Sequence, residues 1–137
     1  MSRLMSVTFT ADAVIERRKT VTRRKNWWQD KNGKQLLKPG DRLTLCRKVM
    51  GRKPGEPLDR LAEVEVVDIR RESLELLGLA SVDNWGYAWS EMEKEGFPHM
   101  GPGYFVAKYF IEAQGLTHDD EVTRIEWRYL DASEVTP

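Results

Sequence analysis

Alternation of apolar and polar residues predicts three strands. The alternation is clearest where Ile125 and Trp127 lie between charged residues. The predicted strands span 42–48, 61–70 and 122–130, and a shorter β-prone run covers 7–9. A Lys-Pro-Gly-Asp turn at 38–41 precedes the first of the three. Near Val66 the apolar positions move to the other face of the strand, which predicts a bulge or bend in a sheet that curls toward a barrel.

Apolar residues spaced three and four apart predict three helices, over 11–17, 84–95 and 102–113. Thr10 is the expected N-cap of the first helix, and Gly96 ends the second. The expected apolar faces comprise Ala11, Val14 and Ile15; then Trp85, Ala88, Trp89 and Met92; then Phe105, Tyr109 and Phe110. Helices combined with a small curved sheet predict a single α+β domain over residues 1–137.

Length and composition narrow the class of protein. A chain of 137 residues can bury a core without disulfides or metal. Cys46 is the only cysteine, which excludes an internal disulfide and is typical of a reducing compartment. With no run of 18 apolar residues and no signal-peptide core, we expect a cytoplasmic protein without a membrane partner. The spacing of the two histidines and one cysteine matches no zinc site, and no glycine-rich nucleotide fingerprint occurs.

The zero formal net charge hides an uneven distribution. Residues 1–53 carry 15 Lys and Arg against 4 Asp and Glu, whereas residues 54–137 carry 7 against 18. Such asymmetry favours an anionic partner at the basic half. It is equally consistent with two halves that pack against each other.

The segment 17–25 concentrates this positive charge, because six of its nine residues are Lys or Arg. Its Thr-Val-Thr centre alternates as an extended segment does, and Trp27 and Trp28 follow it. Cations, hydroxyls and aromatic faces suit a site that holds phosphates and stacks bases. The expected nucleic-acid contacts are Arg17, Arg18, Arg23, Arg24, Lys25, Trp27 and Trp28. The alternative is a solvated basic edge that deters strand pairing.

Three residues are candidates for chemistry. Lys19 lies among four arginines, and crowding by like charge should lower its pKa and make it a base near the Thr22 hydroxyl. Glu95 lies at the C-terminal end of a predicted helix, where the helix dipole disfavours a carboxylate. The alternative is that all three are ordinary exposed residues.

Four segments together resemble the ASCH domain, a relative of the PUA domain. They are Arg-Lys-Thr-Val-Thr-Arg-Arg at 18–24, Leu-Lys-Pro-Gly-Asp at 37–41, Glu-Lys-Glu-Gly-Phe at 93–97 and the strand at 122–129. The resemblance runs from about residue 7 to about residue 130. It implies a small PUA-like curved β-barrel with helices packed around it and a cleft lined by the Lys-Thr-x-Thr segment.

The resemblance also implies chemistry. ASCH domains are thought to bind RNA, and one subgroup hydrolyses the amide of N(4)-acetylcytidine with a Lys, a Thr and a Glu. By motif these correspond to Lys19 as base, Thr22 as nucleophile and Glu95 as proton donor, with no metal or cofactor. Other members are reported as ribonucleases. The chain departs from the family in having Arg17 where Gly is common, and in longer loops at 26–37, 49–60 and 96–121.

Three hypotheses follow. The protein is an amidohydrolase that acts on RNA or a modified nucleoside, an RNA-binding module or ribonuclease that uses the same basic cleft, or a protein-interaction module. Catalysis requires Lys19 and Thr22 in particular, whereas RNA binding requires mainly positive charge.

Overall fold

A computed structural model describes residues 3–26, 31–32, 34–79 and 83–135, and in these ranges five strands form one sheet. The strands are β1 (Arg3–Ser6), β2 (Val21–Arg24), β3 (Arg42–Cys46), β4 (Arg60–Ser73) and β5 (Glu121–Tyr129). The helices are α1 (Ala11–Ile15), α2 (Glu75–Gly78), α3 (Trp85–Glu95) and α4 (Pro102–Val106), which continues as a π-helical turn over Ala107–Glu112.

The sheet has the strand order β1-β3-β4-β5-β2, with β1 parallel to β3 and every other pair antiparallel. The three strands predicted from alternation are therefore neighbours in one sheet. The register between β4 and β5 shifts between Val66 and Asp68, so the predicted bulge is confirmed. The sheet curls until its edges approach, and the Arg24 side chain on β2 donates from Nη2 to the Ser6 carbonyl on β1 at 2.6 Å. The result is a mixed α+β half-barrel.

The concave face of the sheet is filled by alternating apolar residues. Leu43, Leu45, Val64 and Ile125 are fully buried there, and Trp127 is nearly so. A second apolar cluster lies under the helices, where Ala88 and Met92 of α3 pack against Phe105, Val106 and Phe110. The buried charged groups therefore lie between these two apolar clusters, where the sheet meets α3.

Helix α3 agrees closely with the predicted span. It begins after Asn84 and ends at Gly96, whose φ of +95° is the left-handed conformation that closes many helices. Its buried face differs from the expected one, because Trp85 is 53% exposed while two glutamates, Glu91 and Glu95, are buried.

The N-terminal elements differ from their predicted bounds. Residues 7–9 do not form a strand; β1 lies earlier, and a 3-10 turn covers Thr8–Thr10. Helix α1 ends at Ile15. Ile15 was expected on the buried face but is 52% exposed, and Ala13 is buried instead. Thr10 precedes α1 but makes no side-chain cap hydrogen bond. Alternation and helical spacing are both ambiguous over so few residues, and packing on the sheet decides.

Within the described ranges, none of the helices has the length and apolar character needed to cross a membrane.

Candidate active site

The side chains of strand β2 lie alternately on two faces of the sheet, which differ in environment. Thr22 pairs with Ile125 on β5, whereas Arg23 pairs with Arg124, and paired residues of antiparallel strands share a face. Thr22 and Arg24 therefore lie on the concave face and line a cleft, while Arg23, which also borders this cleft, extends its guanidinium toward α3. Because side chains alternate along β2, the neighbouring cations Arg23 and Arg24 lie on opposite faces of the strand.

Lys19 precedes β2 and is held at both ends. Its carbonyl accepts hydrogen bonds from Trp127 Nε1 at 3.1 Å and from the Tyr129 hydroxyl at 2.5 Å. Its Nζ donates to Glu95 at two places, the backbone carbonyl at 2.6 Å and the carboxylate Oε1 at 3.2 Å. The residue is only 2% exposed, so the amine faces the cleft with little freedom to move.

Burial lowers the pKa of Lys19 from 10.5 to about 8, against the opposing influence of the Glu95 carboxylate. Arg24 and Arg23 lower the pKa further. The direction agrees with the expectation from sequence, but desolvation contributes more than crowding by like charge. A lysine in this state supplies a substantial fraction of neutral amine close to pH 8.

Glu95 is the last residue of α3, where the helix dipole disfavours a negative charge. Two cations compensate: Oε1 accepts from Lys19 Nζ, and Oε2 accepts from Arg23 Nη1 at 2.9 Å. Both carboxylate oxygens of Glu95 thus accept hydrogen bonds from cations. The structure brings Glu95 to Lys19, and its predicted role as proton donor stays a prediction.

Behind Glu95 lies a buried ionic network that sequence reasoning missed. Arg23 donates to Glu72 at 2.8 and 3.0 Å and to Glu91 at 2.5 Å, and its side chain has no exposed surface. Arg124 donates to both Glu91 oxygens at 2.6 and 3.1 Å. The Tyr87 hydroxyl completes the network by bonding Glu72. Arg23 therefore serves the carboxylates of this network, which distinguishes it from the other predicted phosphate contacts.

A signal for this network exists in the sequence. Ala88, Glu91, Met92 and Glu95 follow helical spacing and form the buried face of α3. Two glutamates on the same helix face as Ala88 and Met92 are expected to be buried, and buried carboxylates require partners of opposite charge. The identity of those partners could not be read from spacing, because Arg23 and Arg124 lie far away along the chain.

The cleft has a volume of about 300 Å³ and two chemically distinct sides. One side carries Lys19, Thr22, Arg23, Arg24 and Glu95. The other is aromatic and comprises Phe9, Phe97, Phe105, Tyr109 and Phe110. The Phe97 and Tyr109 rings stack at 5.4 Å, and the Phe9 ring, 80% exposed, lies 5.8 Å from Tyr109 at the edge. This pairing of polar groups with an aromatic side suits a ligand that combines polar groups with an apolar ring.

The remaining basic residues of the segment are exposed. Arg17, Arg18 and Lys25 lie at the surface, and Arg18 pairs with Glu16. Arg17 has a φ of +61°, the left-handed conformation that glycine adopts without strain, and its guanidinium lies 5.4 Å from the centre of the Tyr129 ring. Trp27 and Trp28 lie outside the described residues. The predicted phosphate contacts therefore stay predictions.

Comparison with known proteins identifies a shared fold. Neither family models nor curated proteins match the chain. Among solved structures, a protein from Enterococcus faecalis V583 described by the family model DUF984 matches with a TM-score of 0.63 at 13% identity, over 96% of this chain and 81% of that one. The ASCH domain from Lactobacillus crispatus JV V101 matches with a TM-score of 0.57 at 10% identity, over 93% and 79%.

A mutant ASCH protein from Zymomonas mobilis matches with a TM-score of 0.50 at 14% identity, over 96% of this chain and 76% of that one. Likenesses at these identities concern the fold alone. The chain shares its α+β half-barrel fold with these DUF984 and ASCH structures, so the resemblance seen in the sequence is confirmed at the level of the fold.

Proposed function

We propose that this protein is an amidohydrolase that cleaves an acyl group from the exocyclic amine of a nucleobase, with N(4)-acetylcytidine as the model substrate. The observation that carries the proposal is the buried Lys19 amine, which lines the same cleft as the Thr22 hydroxyl and is held by Glu95. A neutral amine beside a hydroxyl nucleophile is the arrangement that amide cleavage requires.

In the proposed reaction, Thr22 Oγ attacks the acyl carbon and Lys19 takes the hydroxyl proton. When the tetrahedral intermediate collapses, the carbon–nitrogen bond breaks and the proton carried by Lys19 passes to the exocyclic nitrogen. Water then hydrolyses the Thr22 ester and releases acetate. Lys19 thus acts first as base and then as acid, which suits a group with a pKa of about 8.

We assign Glu95 the role of a positioning residue. It accepts the Lys19 Nζ hydrogen bond at 3.2 Å while Arg23 occupies its other oxygen. This fixes the amine in the cleft and leaves the leaving-group proton to Lys19. The aromatic wall, with Phe97 and Tyr109 stacked, supports binding of a flat pyrimidine ring.

RNA binding without catalysis is the second candidate, and exposed Arg17, Arg18 and Lys25 favour it. Backbone contacts of this kind would add affinity for a nucleotide chain whether or not the cleft is catalytic. A protein-interaction role would use neither the buried lysine nor the cleft.

The test is to incubate the purified protein with N(4)-acetylcytidine and follow cytidine release. We expect Lys19→Ala and Thr22→Ala each to abolish most of the activity, and the double variant to lose little more, because the two residues act as a unit. Glu95→Gln should retain part of the activity. Thr20→Ala is the matched control, since Thr20 is the neighbouring threonine and does not line the cleft.

Absence of cytidine from the wild-type protein would refute the nucleoside amidohydrolase, and retained RNA affinity would then favour the binding module. Full activity in Thr22→Ala would exclude a covalent intermediate and leave a water activated by Lys19 as the nucleophile.

A further inference from the structure

We propose that Arg24 is a further catalytic residue, whose guanidinium binds the substrate carbonyl oxygen and stabilises the charge that develops there. This inference rests on the proposed function and identifies which group of the cleft stabilises the oxyanion.

The first argument is the absence of a charge partner. Arg23 and Arg124, which are both buried, each form ion pairs with three carboxylates. Arg24, by contrast, forms no ion pair with any residue in the described part of the chain; its bonds go to the Thr22 hydroxyl and the Ser6 carbonyl. Arg24 is only partly buried, and the Glu95 carboxylate acts on it from beyond ion-pair distance. Its guanidinium therefore keeps donors for an anionic or polar ligand that enters the cleft.

The second argument is position. Arg24 Nε donates to Thr22 Oγ1 at 3.3 Å, and both side chains line the cleft. In the tetrahedral intermediate, the attacking oxygen and the carbonyl oxygen are bonded to one carbon. A fork of donors that reaches the first oxygen is therefore placed to reach the second.

The step is balanced as follows. The bond between Thr22 Oγ and the acyl carbon forms, the carbonyl π pair moves onto oxygen, and the hydroxyl proton passes to Lys19. Arg24 keeps all of its protons and compensates the new negative charge. On collapse, the oxygen pair re-forms the carbonyl and the amine leaves with the proton from Lys19.

The kinetic experiment compares Arg24→Gln and Arg24→Lys with wild type on N(4)-acetylcytidine. We expect Arg24→Gln to lower kcat by about 10²–10³ with KM changed only a few-fold, because the contact strengthens in the transition state. Arg24→Lys should recover part of kcat, since it restores the charge without the fork.

Arg71→Gln is the matched control. Arg71 also donates to backbone carbonyls, those of Lys25 at 2.9 Å and Glu121 at 2.8 Å, but it does not line the cleft. We expect wild-type kcat from Arg71→Gln. A kcat in Arg24→Gln within about twofold of wild type would overturn the proposal, since loss of an oxyanion donor costs far more.

A second measurement separates this inference from the proposed function and from misfolding. Acetate, the expected product, is titrated into ¹⁵N-labelled protein while the Arg24 Nε–H resonance is followed. We expect saturable shifts of the Arg24 Nε–H and of the backbone amides around the cleft in wild type and in Arg71→Gln. In Arg24→Gln, whose spectrum without acetate should match that of wild type, we expect acetate to shift none of these backbone amides. If wild type releases no cytidine but binds acetate at Arg24, the proposed function and the catalytic role of Arg24 fail, and only its binding of a carboxylate stands. If acetate leaves Arg24 unperturbed, the inference itself is refuted.

Discussion

Burial of an amine beside a carboxylate gives Lys19 its chemical character. Desolvation disfavours the ammonium form, while Glu95 favours it, and the balance places the pKa at about 8. The same residue would be an unremarkable cation if it were exposed like its neighbour Arg18. In the proposed reaction, a base with this pKa makes the rate depend on pH within the range where the protein can be assayed.

We therefore expect kcat/KM to rise about tenfold per pH unit below about pH 8 and to level off above it, because only neutral Lys19 can accept the Thr22 proton. In Glu95→Gln the midpoint should move to lower pH, since the carboxylate that raises the Lys19 pKa is gone. Initial rates at low substrate concentration, in well-buffered solutions across this pH range, give the profiles of wild type and of Glu95→Gln. A midpoint near the ordinary lysine value, or a profile that Glu95→Gln leaves unmoved, would contradict Lys19 as the base.

The junction between α1 and α3 sets the distance between Lys19 and Glu95. Gly96 ends α3 with a φ of +95°, and a Cβ built there would lie 3.1 Å from the Ala13 Cβ and 3.2 Å from the Thr10 Cγ2. The Thr20 amide donates to the Lys94 carbonyl at 2.8 Å across the same junction. Close approach of the two helices is thus a condition for the site.

Gly96→Ala should lower the free energy of unfolding by about 1–2 kcal/mol or more, because a left-handed residue with a Cβ is strained and the neighbouring side chains must also shift. It should also lower the rate of cytidine release, since Glu95 moves with the helix end. Gly86→Ala is the control: its Cβ meets nothing within 4 Å, and in a helix it should be neutral or stabilise by up to about 1 kcal/mol. Chemical denaturation measures both; equal stability of the two variants would contradict this account.

The molecule as a whole is joined by the buried ionic network between the sheet and α3. Glu91 contacts Arg23 of β2 and Arg124 of β5, so one side chain links three elements. Burial would raise the pKa of Glu91, but the hydrogen bonds from Arg124 and the charge of Arg23 outweigh it and lower the pKa from 4.5 to about 2. A carboxyl group with a depressed pKa stabilises the fold above its unfolded pKa and loses that contribution as pH falls.

Glu91→Gln should reduce the free energy of unfolding at neutral pH by about 3–5 kcal/mol, because it leaves two buried arginines short of a partner. The loss of wild-type stability as pH falls from 4.5 toward about 2 should be flatter in this variant, since Glu91 no longer titrates. The control is Asp59→Asn, which breaks the exposed Arg47–Asp59 pair of 2.9 Å and should cost under about 1 kcal/mol. Equal losses in the two variants would show that the network adds no stability.

Local patterns determined most of the fold. The strands near 42–48, 61–70 and 122–130, the bulge after Val66 and the helix that ends at Gly96 were all predictable, because each depends on residues within a few positions of one another. The turn before β3 belongs to this group, since Gly40 has the φ of +97° that its sequence requires. The short N-terminal elements were not predictable in the same way, because packing on the sheet outweighs weak local preference.

For the candidate site, too, the sequence indicated some features and only the tertiary structure decided the others. Sequence resemblance named Lys19, Thr22 and Glu95, and only the tertiary structure brought the first and last within 3.2 Å. Charge counts treated Arg23 and Arg24 alike, yet Arg23 forms ion pairs with three carboxylates and Arg24 forms none within the described part of the chain. The reason is that the state of a charged group depends on its solvation and its neighbours in space. The carboxylates that contact Lys19 and Arg23 lie 49 to 76 residues away along the chain, beyond the reach of any periodic pattern.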